Sequence, residues 1–139
     1  MYKDGATMPK KKAAKKATKK KAVKKKPIKN SPPTDTCFVI MPFGGWLDIY
    51  YDSVFKPAIS KAGLLPRRAD DIYKPSIIVD DIWNLTLDSK VLLADLTGKN
   101  PNVLYEFGLA HACCKPVVIV TESIEDVPFD LRSLRIITV

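Results

Sequence analysis

From Thr36 onward the chain alternates two patterns: short unbroken apolar runs, and longer stretches in which apolar residues recur every three or four positions. Cys37-Phe38-Val39-Ile40-Met41 is the first run, stopped by Pro42 and followed by Phe43-Gly44-Gly45. It predicts a buried strand entering a glycine loop. Residues 46–62 carry apolar side chains at 47, 50, 51, 54, 55, 58, 59 and 62, an amphipathic helix stopped by Gly63, with Pro57 predicted to kink it. Residues 64–72 predict a second strand, charged at Arg67, Arg68, Asp70 and Asp71. Residues 76–89 predict a second helix with Ile78, Ile82 and Leu85 on its buried side, joined there by Val79 and Trp83. Val91-Leu92-Leu93-Ala94 is too apolar for a strand with one solvated face, and it runs into Asp95-Leu96-Thr97-Gly98. A third helix follows, with Asn100 at its N-cap, Pro101 in first position, and Val103, Phe107, Ala110 and Cys114 as its inner stripe. Residues 116–120 predict a fourth strand, 121–126 a polar loop, and 136–139 a fifth strand.

Strands alternating with helices imply a parallel sheet covered on both faces. Right-handed crossovers, five strands and one early reversal give the order 2-1-3-4-5. In such a sheet ligands bind beyond the carboxyl ends of the strands where the order reverses, here between strands one and three. Those ends supply Phe43-Gly44-Gly45 and Asp95-Leu96-Thr97-Gly98.

Charge divides the chain of 139 residues in two. Its net charge of +8 comes from residues 1–30, where 13 lysines face the single acid Asp4, for +12; the other 109 residues hold 10 basic and 14 acidic side chains, for −4. Residues 1–35 offer almost nothing to bury, so they predict a disordered Lys-rich tail ahead of one α/β domain over residues 36–139. No apolar run approaches the ~18–20 residues of a membrane span, and no apolar segment follows the basic start as in a signal peptide. Cys37, Cys113 and Cys114 make neither a disulfide framework nor a metal-ligand spacing. A reducing, cytoplasmic setting and no metal or resident cofactor are therefore expected.

Glu106 is the side chain that the pattern singles out for chemistry. On a helix it falls about 60° from Val103 and about 40° from Ala110, beside the buried stripe and near the end facing the cleft. It reads either as a partly exposed acid favoured by the helix dipole, or as a nucleophile or base held at the cleft wall. Asp95, directly after an apolar strand, reads either as the cap of the next turn or as a group that orients a ligand hydroxyl. Asn102 offers an amide to a sugar or closes its own turn. Asp70, Asp71, Asp80 and Asp81 add acids near the same rim, some of them solvated. Phe43-Gly44-Gly45 lacks the spacing of a dinucleotide fingerprint, and no Gly-Lys-Ser/Thr phosphate loop occurs. His111 has no nucleophile in an activating context beside it.

Three stretches carry a family resemblance: residues 37–44 (Cys-Phe-Val-Ile-Met-Pro-Phe-Gly), residues 91–112, which include Tyr105-Glu106-Phe107-Gly108-Leu109-Ala110, and residues 115–119. Together they resemble the nucleoside 2-deoxyribosyltransferase-like superfamily, and most closely its bacterial branch that begins with a Val-Ile-Met-Pro-Phe strand and is described as TIR-like. The likeness covers nearly all of residues 36–139 and none of the tail. It departs at Lys90, where an acid is usual, and at Cys113-Cys114. The resemblance implies a flavodoxin-like, TIR-like three-layer α/β sandwich. It also implies cleavage or transfer at the N-glycosidic bond of a nucleoside, a nucleotide or NAD as substrate. Glu106 would attack the anomeric carbon, Asp95 would position sugar or base, and Phe43, Gly44, Gly45, Asp81, Thr97 and Asn102 would bind substrate. Related enzymes complete their sites across subunits, so a homo-oligomer fits the resemblance.

Two other functions compete. The same cleft could serve a non-catalytic nucleotide-sensing or assembly domain. Independently, residues 10–29 form a basic arm expected to hold nucleic acid by counterion release, without sequence readout and with steep salt dependence, so that the protein could sit on the nucleoid. No aromatic residue is interleaved there for base stacking.

Overall fold

The computed structural model describes residues 34–71 and 78–139. The expected tail lies outside the described residues, apart from Thr34 and Asp35, which open the first strand. Five parallel strands form one sheet in the order 2-1-3-4-5: β1 (Thr34–Ile40), β2 (Leu65–Arg68), β3 (Ser89–Asp95), β4 (Val117–Thr121) and β5 (Ile136–Thr138). The single reversal puts β1 and β3 side by side, with Phe38 opposite Leu92 and Ile40 opposite Ala94.

Alternation along the strands feeds two cores. Phe38, Ile40, Leu92, Ala94 and Ile119 face one side, where they meet Ile82 of α3 (Ile78–Asp88) and Val103, Phe107 and Ala110 of α4 (Pro101–Ala112). Cys37, Val39 and Met41 face the other and meet Tyr51, Phe55 and Ile59. Those three residues, spaced four apart, belong to one helical run: α1 (Trp46–Tyr50), a π-helical turn (Tyr51–Phe55) and α2 (Lys56–Lys61). This second face is open over β4 and β5, where Val118, Ile137 and Val139 are 40%, 50% and 49% exposed.

Pro57 explains the π turn. A proline there has no N–H for the carbonyl one turn earlier, and its ring would press on that carbonyl. The wider π turn directly before α2 absorbs both, so the predicted kink takes the form of a local widening. β2 is shorter than expected and gives way to a 3₁₀ turn (Ala69–Asp71), because Asp71 turns back to accept the Arg68 backbone N–H at 2.9 Å. Val79 is exposed and not on the inner face of α3; the Ile78 side chain lies outside the described set. Cys114 likewise leaves the predicted stripe, since α4 ends at Ala112 and Cys114 turns outward with a φ of 53°. The N-terminus of α4 forms as expected: Asn100 Oδ1 accepts from the backbone N–H groups of Asn102 (2.9 Å) and Val103 (3.4 Å), with Pro101 next.

Among the described residues no helix is long and apolar enough to cross a membrane.

Candidate functional site

β1 and β3 separate their outgoing chains at the reversal, and a cavity of about 210 Å³ opens there. It is lined by Trp46 and Tyr50 from α1, Asp95 at the end of β3 and Thr97 just beyond it, Glu122 after β4, and Val139 after β5. Two aromatic rings, set edge to face with centroids 6.1 Å apart, form one wall. Two carboxylates and a threonine form the other, and among the described residues no cationic side chain lines it.

The polar wall is knitted from successive strand ends. Asp95 is almost fully buried, and its Oδ1 accepts from the Thr97 backbone N–H at 3.0 Å and from Thr97 Oγ1 at 2.5 Å. That is the turn-capping role foreseen for it, at a position that also borders the cavity. Thr97 Oγ1 accepts in turn from the Glu122 backbone N–H at 3.0 Å, which ties the β3 turn to the end of β4. Gly98 N–H donates to Asp126 at 2.8 Å, and Val139 N–H donates to the Thr121 carbonyl at 3.0 Å. The exposed carboxylate of Glu122 is thereby carried on a backbone fixed at three strand ends.

The glycine loop leads directly into α1 and so into the Trp46 side of the cavity. Gly44 and Gly45 have φ of 100° and 60°, conformations that a side chain would strain although space exists for one. Gly45 is the N-cap of α1, so these two glycines let the chain leave β1 and turn at once into the helix that presents Trp46 and Tyr50.

Glu106 is half-buried on α4, and no hydrogen bond or ion pair to it occurs among the described residues. Burial pushes its carboxyl up to about 7. It is not among the residues lining the cavity.

Of the residues predicted from sequence, the cavity brings together Asp95 and Thr97. Phe43, Gly44 and Gly45 form the adjacent loop, with the Phe43 ring more than half exposed. Asn102 is exposed in the first turn of α4, where Asn100 rather than Asn102 closes the cap. Asp81 is half-buried in the first turn of α3 and is not a lining residue. Asp70 and Asp71 serve Arg68. Sequence reasoning passed over Trp46, Tyr50 and Glu122. Glu122 had a readable signal: like Asp95 it is an acid at the carboxyl end of an apolar strand. Among the described residues no group of three His, Cys, Asp or Glu side chains could hold a metal ion.

No protein-family model matches the sequence, and no curated protein matches it either. Among solved structures the fold matches a 2-desoxiribosyltransferase from Leishmania mexicana, with a TM-score of 0.55 and 16% identity. The match covers 66% of this chain and 66% of that one. The chain therefore has a nucleoside 2-deoxyribosyltransferase-like fold, the flavodoxin-like α/β sandwich with its sheet in the order 2-1-3-4-5.

Proposed function

We propose that this domain cleaves or transfers the N-glycosidic bond of a nucleoside, or of a nucleotide or NAD, with Glu106 as nucleophile. The observation that carries the substrate class is the cavity at the sheet reversal, with aromatic rings on one wall and carboxylates on the other, while the role of Glu106, which does not line it, rests on the resemblance carried by residues 91–112. A base can lie against Trp46 and Tyr50. Ribose hydroxyls can donate to Asp95 or Glu122. The volume is below the ~300–1,000 Å³ of most ligand sites, which favours one nucleoside over a dinucleotide. The fold shared with a deoxyribosyltransferase supports the same chemistry.

In the reaction the Glu106 carboxylate attacks C1′, the C1′–N bond breaks, and its electron pair leaves with the base, which takes a proton. The sugar passes through an oxocarbenium-like state that the carboxylate stabilises and then captures. Water or a second base attacks C1′ in turn and frees Glu106. Half-burial that raises the Glu106 carboxyl disfavours its bare charge in the resting protein, and it strengthens the attraction between that charge and a developing cationic sugar.

A second reading has its own support. Asp95 spends its buried oxygen on Thr97, and Glu106 stands outside the cavity lining, as suits a domain that binds a nucleotide without turning it over. One experiment separates the two. Protein incubated with deoxynucleosides, deoxynucleoside monophosphates and NAD is assayed for free base by chromatography, with Glu106→Ala in parallel. Base release by the wild type and none by the variant supports the enzyme. Saturable nucleoside binding by calorimetry that survives Glu106→Ala, with no release of base, supports the sensor and refutes the enzyme.

A further inference from the structure

Arg68 stands at the end of the edge strand β2 and is only 7% exposed, although nothing in the sequence marks it as a core residue. A buried cation is tolerated only when its charge and its donors are matched. Asp70 alone comes close to matching it, accepting from Nε at 2.7 Å and from Nη2 at 2.5 Å. Yet the guanidinium reaches further. Nη1 donates to Asp48 Oδ1 at 2.8 Å, and the guanidinium carbon lies 4.4 Å from the Tyr51 ring centroid and 5.0 Å from that of Phe43. Burial opposes the charge, but the hydrogen bonds to Asp70 and Asp48 outweigh it and hold Arg68 more firmly protonated than a free guanidinium.

The second oxygen of Asp48 shows what this reach achieves. Asp48 Oδ2 accepts the Gly44 backbone N–H at 3.1 Å, so one carboxylate joins Arg68 to the glycine loop. Gly44 and Gly45 are the least conformationally restricted residues in that loop. Asp48 itself sits on α1 between Trp46 and Tyr50, the two rings of the cavity wall. Arg68 thus holds the loop at two points: the Phe43 ring, and Asp48 in the first turn of α1, which passes the hold on to the Gly44 N–H.

We propose that Arg68 is the positioning residue of the Phe43–Gly45 loop, setting the placement of the Trp46 and Tyr50 wall, and hence substrate affinity, without touching substrate. Its link to affinity rests on the cavity being the substrate site. Asp70 supplies the opposite charge for Arg68, and it is the remaining bond, from Nη1 to Asp48, that reaches the loop. The planar fork is required, because a lysine ammonium cannot make the paired bonds to Asp70, the bond to Asp48 and the ring contacts at once.

The test compares Arg68→Lys, Asp48→Asn and the double variant with the wild type, each built on Trp83→Phe so that Trp46 is the only tryptophan. Acrylamide quenching of Trp46 reports the loop without any need for turnover, and calorimetric titration with a deoxynucleoside reports affinity. Arg68→Lys should raise quenching and weaken binding by about tenfold, and any turnover should show KM raised by a similar factor with kcat changed by less than about threefold. Asp48→Asn, whose side chain is 43% exposed and tolerates change, should do the same. The double variant should be no worse than the worse single one within about a factor of two, since both act through one chain of contacts. Asp52→Asn, which breaks an exposed pair with Lys56 on the same helical run, should leave both readouts at wild type. Quenching and affinity unchanged in Asp48→Asn, or in Arg68→Lys with only a lower melting temperature, would overturn the proposal. A wild type that releases no base counts against the N-glycosidic reading alone, because quenching and binding still decide the role of Arg68.

Discussion

Replacing Glu106 with glutamine tests whether this carboxyl is desolvated as its place on α4 implies. Its ordinary value of 4.5 is raised to about 7 by burial, and at ~1.4 kcal/mol per tenfold step the full effect is about 3 kcal/mol. The side chain is only partly buried, so solvent screening reduces this to roughly 1.5 kcal/mol. The sign follows from proton binding. Between pH 4.5 and about 7 the folded protein holds a proton on Glu106 that the unfolded chain has released, so the contribution is complete below 4.5 and lost as pH rises through 7. Glutamine is neutral throughout and removes the dependence. Urea unfolding of wild type and Glu106→Gln at half-unit steps from pH 4.5 to 8 should show the wild type losing about 1.5 kcal/mol relative to the variant, centred between pH 5 and 7. That corresponds to a melting-temperature difference on the order of 5–10 °C for a domain of this size. A difference that stays flat within about 0.3 kcal/mol from pH 5.5 to 8 would show a solvated Glu106 and refute the reasoning. If Glu106 is also the nucleophile, kcat/KM should fall as pH drops through 7, because only the carboxylate attacks.

Three further outcomes are expected. Asp95→Ala leaves the Thr97 N–H and hydroxyl without their buried acceptor and should cost about 1–3 kcal/mol, read as a lower urea midpoint; an unchanged midpoint would mean that water replaces the carboxylate fully. Asn100→Ala removes the α4 cap and should cost about 1 kcal/mol, while Asn100→Asp should retain most of it; equal losses in both would count against capping. Removing residues 1–30, with their net charge of +12, should abolish retention on DNA at low salt and leave the melting temperature of the α/β domain unchanged. Persistent retention would place nucleic-acid binding on the domain instead.

β1 and β3 were legible because each contains a continuous apolar run, as a strand buried on both faces requires, whereas the short, charged β2 carries no such run. α4 was equally legible, since Asn100-Pro101 and the Val103, Phe107, Ala110 spacing agree on one helix. The run of residues 46–62 was legible in extent but not in form. Its periodicity fits an α-helix, and whether Pro57 bends or widens it depends on how Tyr51, Phe55 and Ile59 pack against Cys37, Val39 and Met41. Val79 and Cys114 went astray because three-to-four spacing says which residues could share a face, not where the helix stops or how far the neighbouring layer reaches. That Asp95 borders the cavity was readable from its place at the carboxyl end of an apolar strand, and Glu122 would have been by the same rule.

By itself the sequence determined the α/β sandwich, the place of its one reversal, the split between strongly basic residues 1–30 and a net acidic remainder, and Glu106 as the acid beside a buried helix face. These follow from local periodicity, composition and chain order, which need no knowledge of distant contacts. Only the tertiary structure decided which side chains meet at that reversal. Trp46 joins Asp95, Thr97 and Glu122 across as many as 76 positions of sequence, and Arg68 became a core residue because Asp48, Asp70, Tyr51 and Phe43 converge on it. The buried guanidinium is the plainest case. Its charge predicts solvent, and it is inside because its partners, drawn from two strand ends and a helix, replace the water it gives up.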